Sequence, residues 1–217
     1  MSANSEGESI KVLAKLLDTV EFPMVMKIVD QFENGRYDIL PFITKIQSSL
    51  DTISPYNLTK CCRVQTLILP RCTNLSDNVL MMLPNLESLT IRTGTELTGE
   101  AFGHLNYLTK LQILSVDTEY DTMLTPKIMA QLGKLEMLHV RNDLLNNDCF
   151  RHLSNLKVLI IDGTNKVTPA ILNYLPKIEV CIINKVLCKF ISSTRNNAII
   201  KKIGKLKRVR IYAIENN

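Results

Sequence analysis

Tryptophan is absent from the 217 residues, and only eight glycines, eight prolines and six cysteines occur. No uninterrupted apolar run approaches the roughly 20 residues needed to cross a bilayer. The polar start MSANSEGES has neither the basic nor the apolar region of a secretion signal. A protein of the cytoplasm and/or nucleus, with no membrane partner, is therefore expected. The cysteines (Cys61, Cys62, Cys72, Cys149, Cys181, Cys188) show no CxxC spacing and the chain has no HxxxH, so reduced structural thiols are expected and no metal site. There is no phosphate-cradling Gly-rich loop and no GxSxG. His104 and His152 precede apolar helix positions, and His139 has no organised catalytic partner in the sequence. No enzyme activity and no cofactor are expected.

What is present is ordinary for a globular chain able to bury a core: 46% hydrophobic and 22% charged residues. The net charge of +5 is unevenly placed, because nine Lys/Arg stand against one acid from Val180 onward. A repeat governs the rest. VQTLILPRCTNLSDNVLMMLPNL from Val64 is followed by similar segments starting at Leu86, Leu111, Leu135 and Leu156, a degenerate unit at Ile178 and a half-unit at Leu206. These starts are separated by 22, 25, 24, 21, 22 and 28 residues, a period characteristic of repeat proteins.

Each unit opens with LxxLxL, whose alternation sends the fourth and sixth positions to one face of a short strand. About eleven residues after the start, apolar residues recur every four: Leu97, Ala101, Leu105; Leu124, Ile128, Leu132; Leu145, Cys149, Leu153; Val167, Ile171, Leu175. That spacing makes one stripe of a helix. Ser76, Thr98, Thr125 and Thr168 precede the stripes as hydroxyl caps, and Pro126 and Pro169 suit the first helical position. A unit alone cannot bury both stripes, so stability must come from stacking on its neighbours.

Cys62 to Ile211, and RCTNLSDNVLMMLPNL in particular, resemble the leucine-rich repeats, most closely the cysteine-containing subtype of F-box-type ubiquitin-ligase substrate receptors. In the first unit Cys72 holds the family's cysteine position; Gly94, Glu119 or Tyr120, Asp143 and Gly163 or Thr164 stand near it later. The resemblance implies an α/β leucine-rich-repeat solenoid, right-handed, with parallel strands on the concave face and short helices outside. It also implies substrate recognition beside a cullin-type (SCF-like) ligase.

Two regions are expected: residues 1–60 as a helical cap or adaptor-binding region, and residues 61–217 as six to seven repeats with a basic end. The cap reads as three helices, over about 8–20, 23–35 and 38 or 41 to 53, with apolar faces Ile10, Leu13, Leu17; Val25, Ile28, Val29, Phe32; and Ile39, Phe42, Ile46, Leu50. Phe22-Pro23 is similar to the Leu-Pro opening of an F-box, and Leu58 with Cys62 to the Leu-xxx-Cys of an elongin-binding box. A cullin-ligase adaptor is the partner implied for this region.

Outward positions of aligned strands form rows about 4.8 Å apart. The fifth position gives Ile68, Thr90, Ser115, His139, Ile160, Ile182 and Arg210, and the seventh includes Arg92, Asp117, Arg141 and Asp162, a ladder alternating in sign. These rows are the candidate partner-binding surface, and a protein on the concave face is the expected partner. A scaffold unrelated to ubiquitin is the alternative. The C-terminal bases suit protection of an exposed sheet edge better than capture of nucleic acid or an acidic partner.

Overall fold

A computed structural model describes residues 2–31, 37–50, 53–92, 97–114, 124–141, 145–162, 166–183 and 208–210. Eight strands form one sheet in chain order: β1 (Lys45–Gln47), β2 (Thr66–Leu69), β3 (Ser88–Arg92), β4 (Lys110–Leu114), β5 (Met137–Arg141), β6 (Val158–Asp162), β7 (Val180–Ile183) and β8 (Arg208–Arg210). Every neighbouring pair is parallel. Helices α1 (Ser2–Leu17) and α2 (Phe22–Gln31) precede the sheet, and short helices or 3-10 turns link the strands, among them α3 (Pro55–Thr59), α4 (Asp77–Met81) and α5 (Pro126–Met129). This is an α/β leucine-rich-repeat solenoid. Among the described residues no helix is long and apolar enough to cross a membrane.

The two apolar rhythms of the sequence meet in one core. Leu67 and Leu69 of β2 are fully buried, as are their counterparts Leu138 and Val140 of β5, and all four stripes named above are buried with them. The linking segments are mostly single 3-10 turns: 100–104, 130–132, 147–150 and 169–173. A 3-10 turn rises more steeply than an α-helix, so three to five residues suffice to return the chain to the next strand.

Successive units are joined by a recurring backbone device. The carbonyl of the second residue in one unit accepts hydrogen bonds from two consecutive N–H groups of the next. Thr44 holds Gln65 and Thr66, Gln65 holds Glu87 and Ser88, Glu87 holds Thr109 and Lys110, and the pattern continues to Lys157 holding Glu179 and Val180, always at 2.8 to 3.0 Å.

That device fixes the true unit starts and corrects three expectations. The third unit begins at Leu108, not Leu111: Leu89 is in register with Leu111 and Ile91 with Ile113. LTKLQI and LQILSV both fit the LxxLxL pattern, and the surplus residues of this long unit fall after the strand instead of before it. Next, the third expected helix is only a 3-10 turn over Tyr37–Phe42, and residues 43–50 are not helical. They hold β1 within an additional unit, Ile43-x-x-Ile46-x-Ser48, whose three named side chains are buried. Accordingly Leu50, expected on a buried helix face, is 51% exposed. Lastly, of the four expected caps, Thr125 Oγ1 accepts from Ile128 N–H at 3.3 Å and Thr98 Oγ1 from Glu100 N–H at 3.4 Å. Ser76 and Thr168 make no such bond. The Thr168 hydroxyl instead meets Asn147 Nδ2 of the preceding unit at 2.6 Å.

Polar side chains reach between units on the helical side. Asp77 accepts from Thr98 N–H, Thr98 Oγ1 and Ala101 N–H at 2.7, 2.9 and 3.0 Å. Asn147 accepts from Thr168 N–H at 2.9 Å. Asn74 clamps Ile53, accepting from its N–H at 3.0 Å and donating to its carbonyl at 2.8 Å.

The cap meets the sheet edge by the same geometry. At β1 the two N–H groups that elsewhere share a carbonyl, those of Thr44 and Lys45, both donate to Asp18 Oδ1 at 3.0 Å, and Thr44 Oγ1 donates to Asp18 Oδ2 at 2.6 Å. The carboxylate stands in for the carbonyl of a preceding unit. Glu21 Oε2 similarly accepts from Ser49 N–H at 2.8 Å. Ala14 and Leu17 of α1, with Phe22, Val25 and Val29 of α2, join the common core. Ile10, Leu13, Ile28 and Phe42 pack partly buried against it, whereas Phe32 lies outside the described residues.

Removing Asp18 should leave two edge N–H groups unsatisfied. Asp18→Ala is expected to lower unfolding free energy by about 1.5 to 3 kcal/mol, the range for hydrogen bonds to a charged group, as measured by urea denaturation. A loss below about 0.5 kcal/mol, typical of an unremarkable surface change, would contradict this role.

Candidate functional site

The outward face of the sheet is built from the third and fifth positions of each strand, with the seventh at its upper end. In the fifth row the register runs Gln47, Ile68, Thr90, Gln112, His139, Ile160, Ile182, Arg210. Seven residues assigned to the face from sequence therefore fall on their strands: Ile68, Thr90, Arg92, His139, Arg141, Ile160 and Asp162. Ile182 and Arg210 follow on β7 and β8.

Ser115 and Asp117 lie outside the described residues, and the places assigned to them belong to others. Gln112 is in register with Thr90 and His139, and Leu114 with Arg92. The alternating ladder Arg92, Asp117, Arg141, Asp162 is thus broken at β4, because the three-residue error in the unit start carried both assignments with it. Arg141 and Asp162 remain in register on β5 and β6.

The correct register creates a polar network that the sequence did not reveal. His139 Nδ1 is 3.0 Å from Gln112 Nε2, and His139 Nε2 is 2.9 Å from Asp162 Oδ2. An amide nitrogen can only donate, so in the neutral ring Nδ1 accepts from Gln112 and the proton sits on Nε2, directed at the carboxylate. The imidazole, expected to have no organised partner, has two. Its side chain is 21% exposed and that of Asp162 33%, so the network is half-screened from water. Both ring nitrogens are committed, which leaves the imidazole no lone pair for a substrate proton in this arrangement.

The third row was not singled out from sequence, although alternation within LxxLxL already sends it to the same face as the fifth. It reads Lys45, Thr66, Ser88, Lys110, Met137, Val158, Val180, Arg208. Met137, Val158 and Val180 therefore lie beside Ile160 and Ile182, and all five are half-buried. In these two rows β1–β4 are polar apart from Ile68, and β5–β7 are aliphatic apart from His139.

Below the strands, Glu136 and Lys157 form an exposed ion pair at 2.9 Å, worth about 0–1 kcal/mol. The helical side carries a cleft of ≈ 250 Å³ lined by Phe102, Gly103, Gln131, Gly133 and Lys134, and Lys134 Nζ donates to Asn106 O there at 2.9 Å.

The described cysteines are all free, and only Cys62 is exposed. Burial pushes the Cys61 thiol up to about 12, with smaller contributions from Cys62 and Asp18, and burial alone pushes Cys181 up to about 12. Cys72 and Cys149 are raised by burial against opposing backbone hydrogen bonds. These thiols pack as small apolar groups. Among the described residues, no three His, Cys, Asp or Glu side chains are grouped as a metal site.

No protein-family model matches the sequence, and no curated protein does. Solved structures do. Internalin C2 from Listeria monocytogenes is similar at a TM-score of 0.50 and 14% identity, over 81% of this chain and 84% of that one. The yeast Rad7 and Elc1 complex gives 0.45 and 16%, over 84% of this chain and 62% of that one. A leucine-rich-repeat protein of Leptospira interrogans gives 0.43 and 14%, over 82% and 58%. At these identities the likeness is one of fold.

The network makes a prediction about His139. Nitrogen-15 spectra of the neutral ring should show Nε2 protonated and Nδ1 bare, and Asp162→Ala should weaken that preference. A ring protonated on Nδ1 would contradict the Gln112 and Asp162 contacts.

Proposed function

We propose that the chain is a non-catalytic protein-recognition module whose partner lies across the outward face of the sheet. The observation that carries this reading is the contiguous aliphatic area of Met137, Val158, Ile160, Val180 and Ile182. Isolated exposed apolar residues are ordinary, whereas a contiguous patch with polar neighbours marks a contact surface. The Gln112, His139 and Asp162 network beside it supplies directional hydrogen bonding for specificity.

Within this reading, the partner is a target presented to a cullin-type ubiquitin ligase. The resemblance of RCTNLSDNVLMMLPNL to substrate receptors supports that narrower role. An adaptor would dock on the cap, where Val12 and Leu16 are each 62% exposed one turn apart on α1 and Met24 is 49% exposed on α2. Five free cysteines among the described residues suit a reducing compartment, hence the cytoplasm or nucleus.

Quantitative affinity purification of the full chain tests the proposal. Ile160→Thr with Ile182→Thr, which keeps β-branched side chains on the strands, and separately Arg141→Glu, at an exposed position, should each reduce the captured partner about ten-fold, a loss of about 1.4 kcal/mol, while the thermal transition stays in place. Equal capture by all variants would refute recognition through this face. Val12→Glu with Leu16→Glu should release a ligase adaptor but retain the target; failure to recover any cullin adaptor with the wild-type chain would remove the ligase role alone.

A further inference from the structure

The charges around the aliphatic area are distributed unlike those of the whole chain. On the outward strand positions whose side chains are described, Lys45, Lys110 and Arg141 stand against a single acid, Asp162, and by register Arg92, Arg208 and Arg210 hold further such positions. The chain as a whole is more evenly balanced, with 26 bases and 21 acids. Asp162 is itself engaged by His139.

Two cations, Lys110 and Arg141, adjoin the aliphatic area, and Arg208 and Arg210 hold neighbouring register positions on β8. Lys110 is in register with Met137, Arg208 with Val180 and Arg210 with Ile182, while Arg141 ends β5 above His139. Lys110 and Arg141 are exposed. The acids nearest the face, Glu87, Glu136 and Glu179, precede the strands along the lower rim, and Glu136 is paired with Lys157. Among the described residues, Lys110 and Arg141 thus place exposed cations beside the aliphatic area.

Edge protection accounts for bases on β8, the last strand of the sheet, but not for Lys110 and Arg141 on interior strands. We propose that this face binds an acidic protein segment that places two or three aliphatic side chains on Met137, Val158, Ile160, Val180 and Ile182 and its carboxylates against Lys110 and Arg141. This rests on the recognition reading above and names the chemistry of its partner. Like-signed charges around an apolar centre favour encounter with an opposite-signed partner and reject others. A polynucleotide fits less well, since no Phe, Tyr or Trp occupies a third or fifth position of the described strands for base stacking.

The test is selection of a random peptide library displayed on phage against the immobilised full chain, followed by affinity measurements at low and high salt. Enriched peptides should combine Asp or Glu with Leu, Ile or Val, weaken with salt, and lose about ten-fold in affinity for Lys110→Glu, as reversal of a rim charge implies. Neutral or basic peptides that still require Ile160 and Ile182 would overturn the acidic preference while leaving recognition through the face intact. Peptides indifferent to Ile160→Thr with Ile182→Thr would overturn both. Recovery of no peptide above background, tighter binding of polyuridylate that Lys110→Glu abolishes, or a homodimer in light scattering that Ile160→Thr with Ile182→Thr dissolves would each refute the proposal.

Discussion

One backbone carbonyl, shared by two consecutive N–H groups of the next unit, sets the geometry on which everything else depends. It recurs from Thr44 to Lys157 with distances of 2.8 to 3.0 Å, and it fixes the register where each strand begins. Differences in unit length must then be absorbed between the strands. The unit starting at Leu108 is longer than its neighbours, yet Leu89, Leu111 and Leu138 remain in one buried row. A parallel sheet leaves unpaired N–H groups at its first strand, and Asp18 answers that need with a carboxylate oxygen placed where the missing carbonyl would be.

Register in turn decides what the outward face can do. Alternation along each strand is a local property, but which residues become neighbours across strands is not. Only with Gln112 beside His139 and Asp162 beyond does an amide, an imidazole and a carboxylate become a hydrogen-bonded row. Only with Val158 beside Met137 and Val180 do three separate aliphatic residues become one surface. A small error in one unit's start therefore changes little about the fold and much about the site.

The strands from β2 onward and the apolar stripes between them were legible because LxxLxL and four-residue spacing repeat often enough to identify each other. The first unit escaped notice because Ile43-x-x-Ile46-x-Ser48 puts a serine where an aliphatic residue marks other units, and Ile39, Phe42, Ile46 and Leu50 also read as a helix face. The third unit was misplaced because Leu108, Leu111 and Leu114 offer two overlapping matches, which cost Ser115 and Asp117 their assigned places and hid Gln112. Asp18 carries no local signature at all: it lies 26 residues from the Thr44 it holds. Met137, Val158 and Val180 were open to view, since alternation sends the third position outward with the fifth.

The most direct test is the strand register itself, read from backbone nuclear Overhauser effects in a uniformly labelled sample. Cross-peaks should place Thr90 beside Gln112, Gln112 beside His139, and Lys45 beside Thr66. Cross-peaks that instead pair Thr90 with Ser115 would contradict the shared-carbonyl geometry and dissolve the face built upon it.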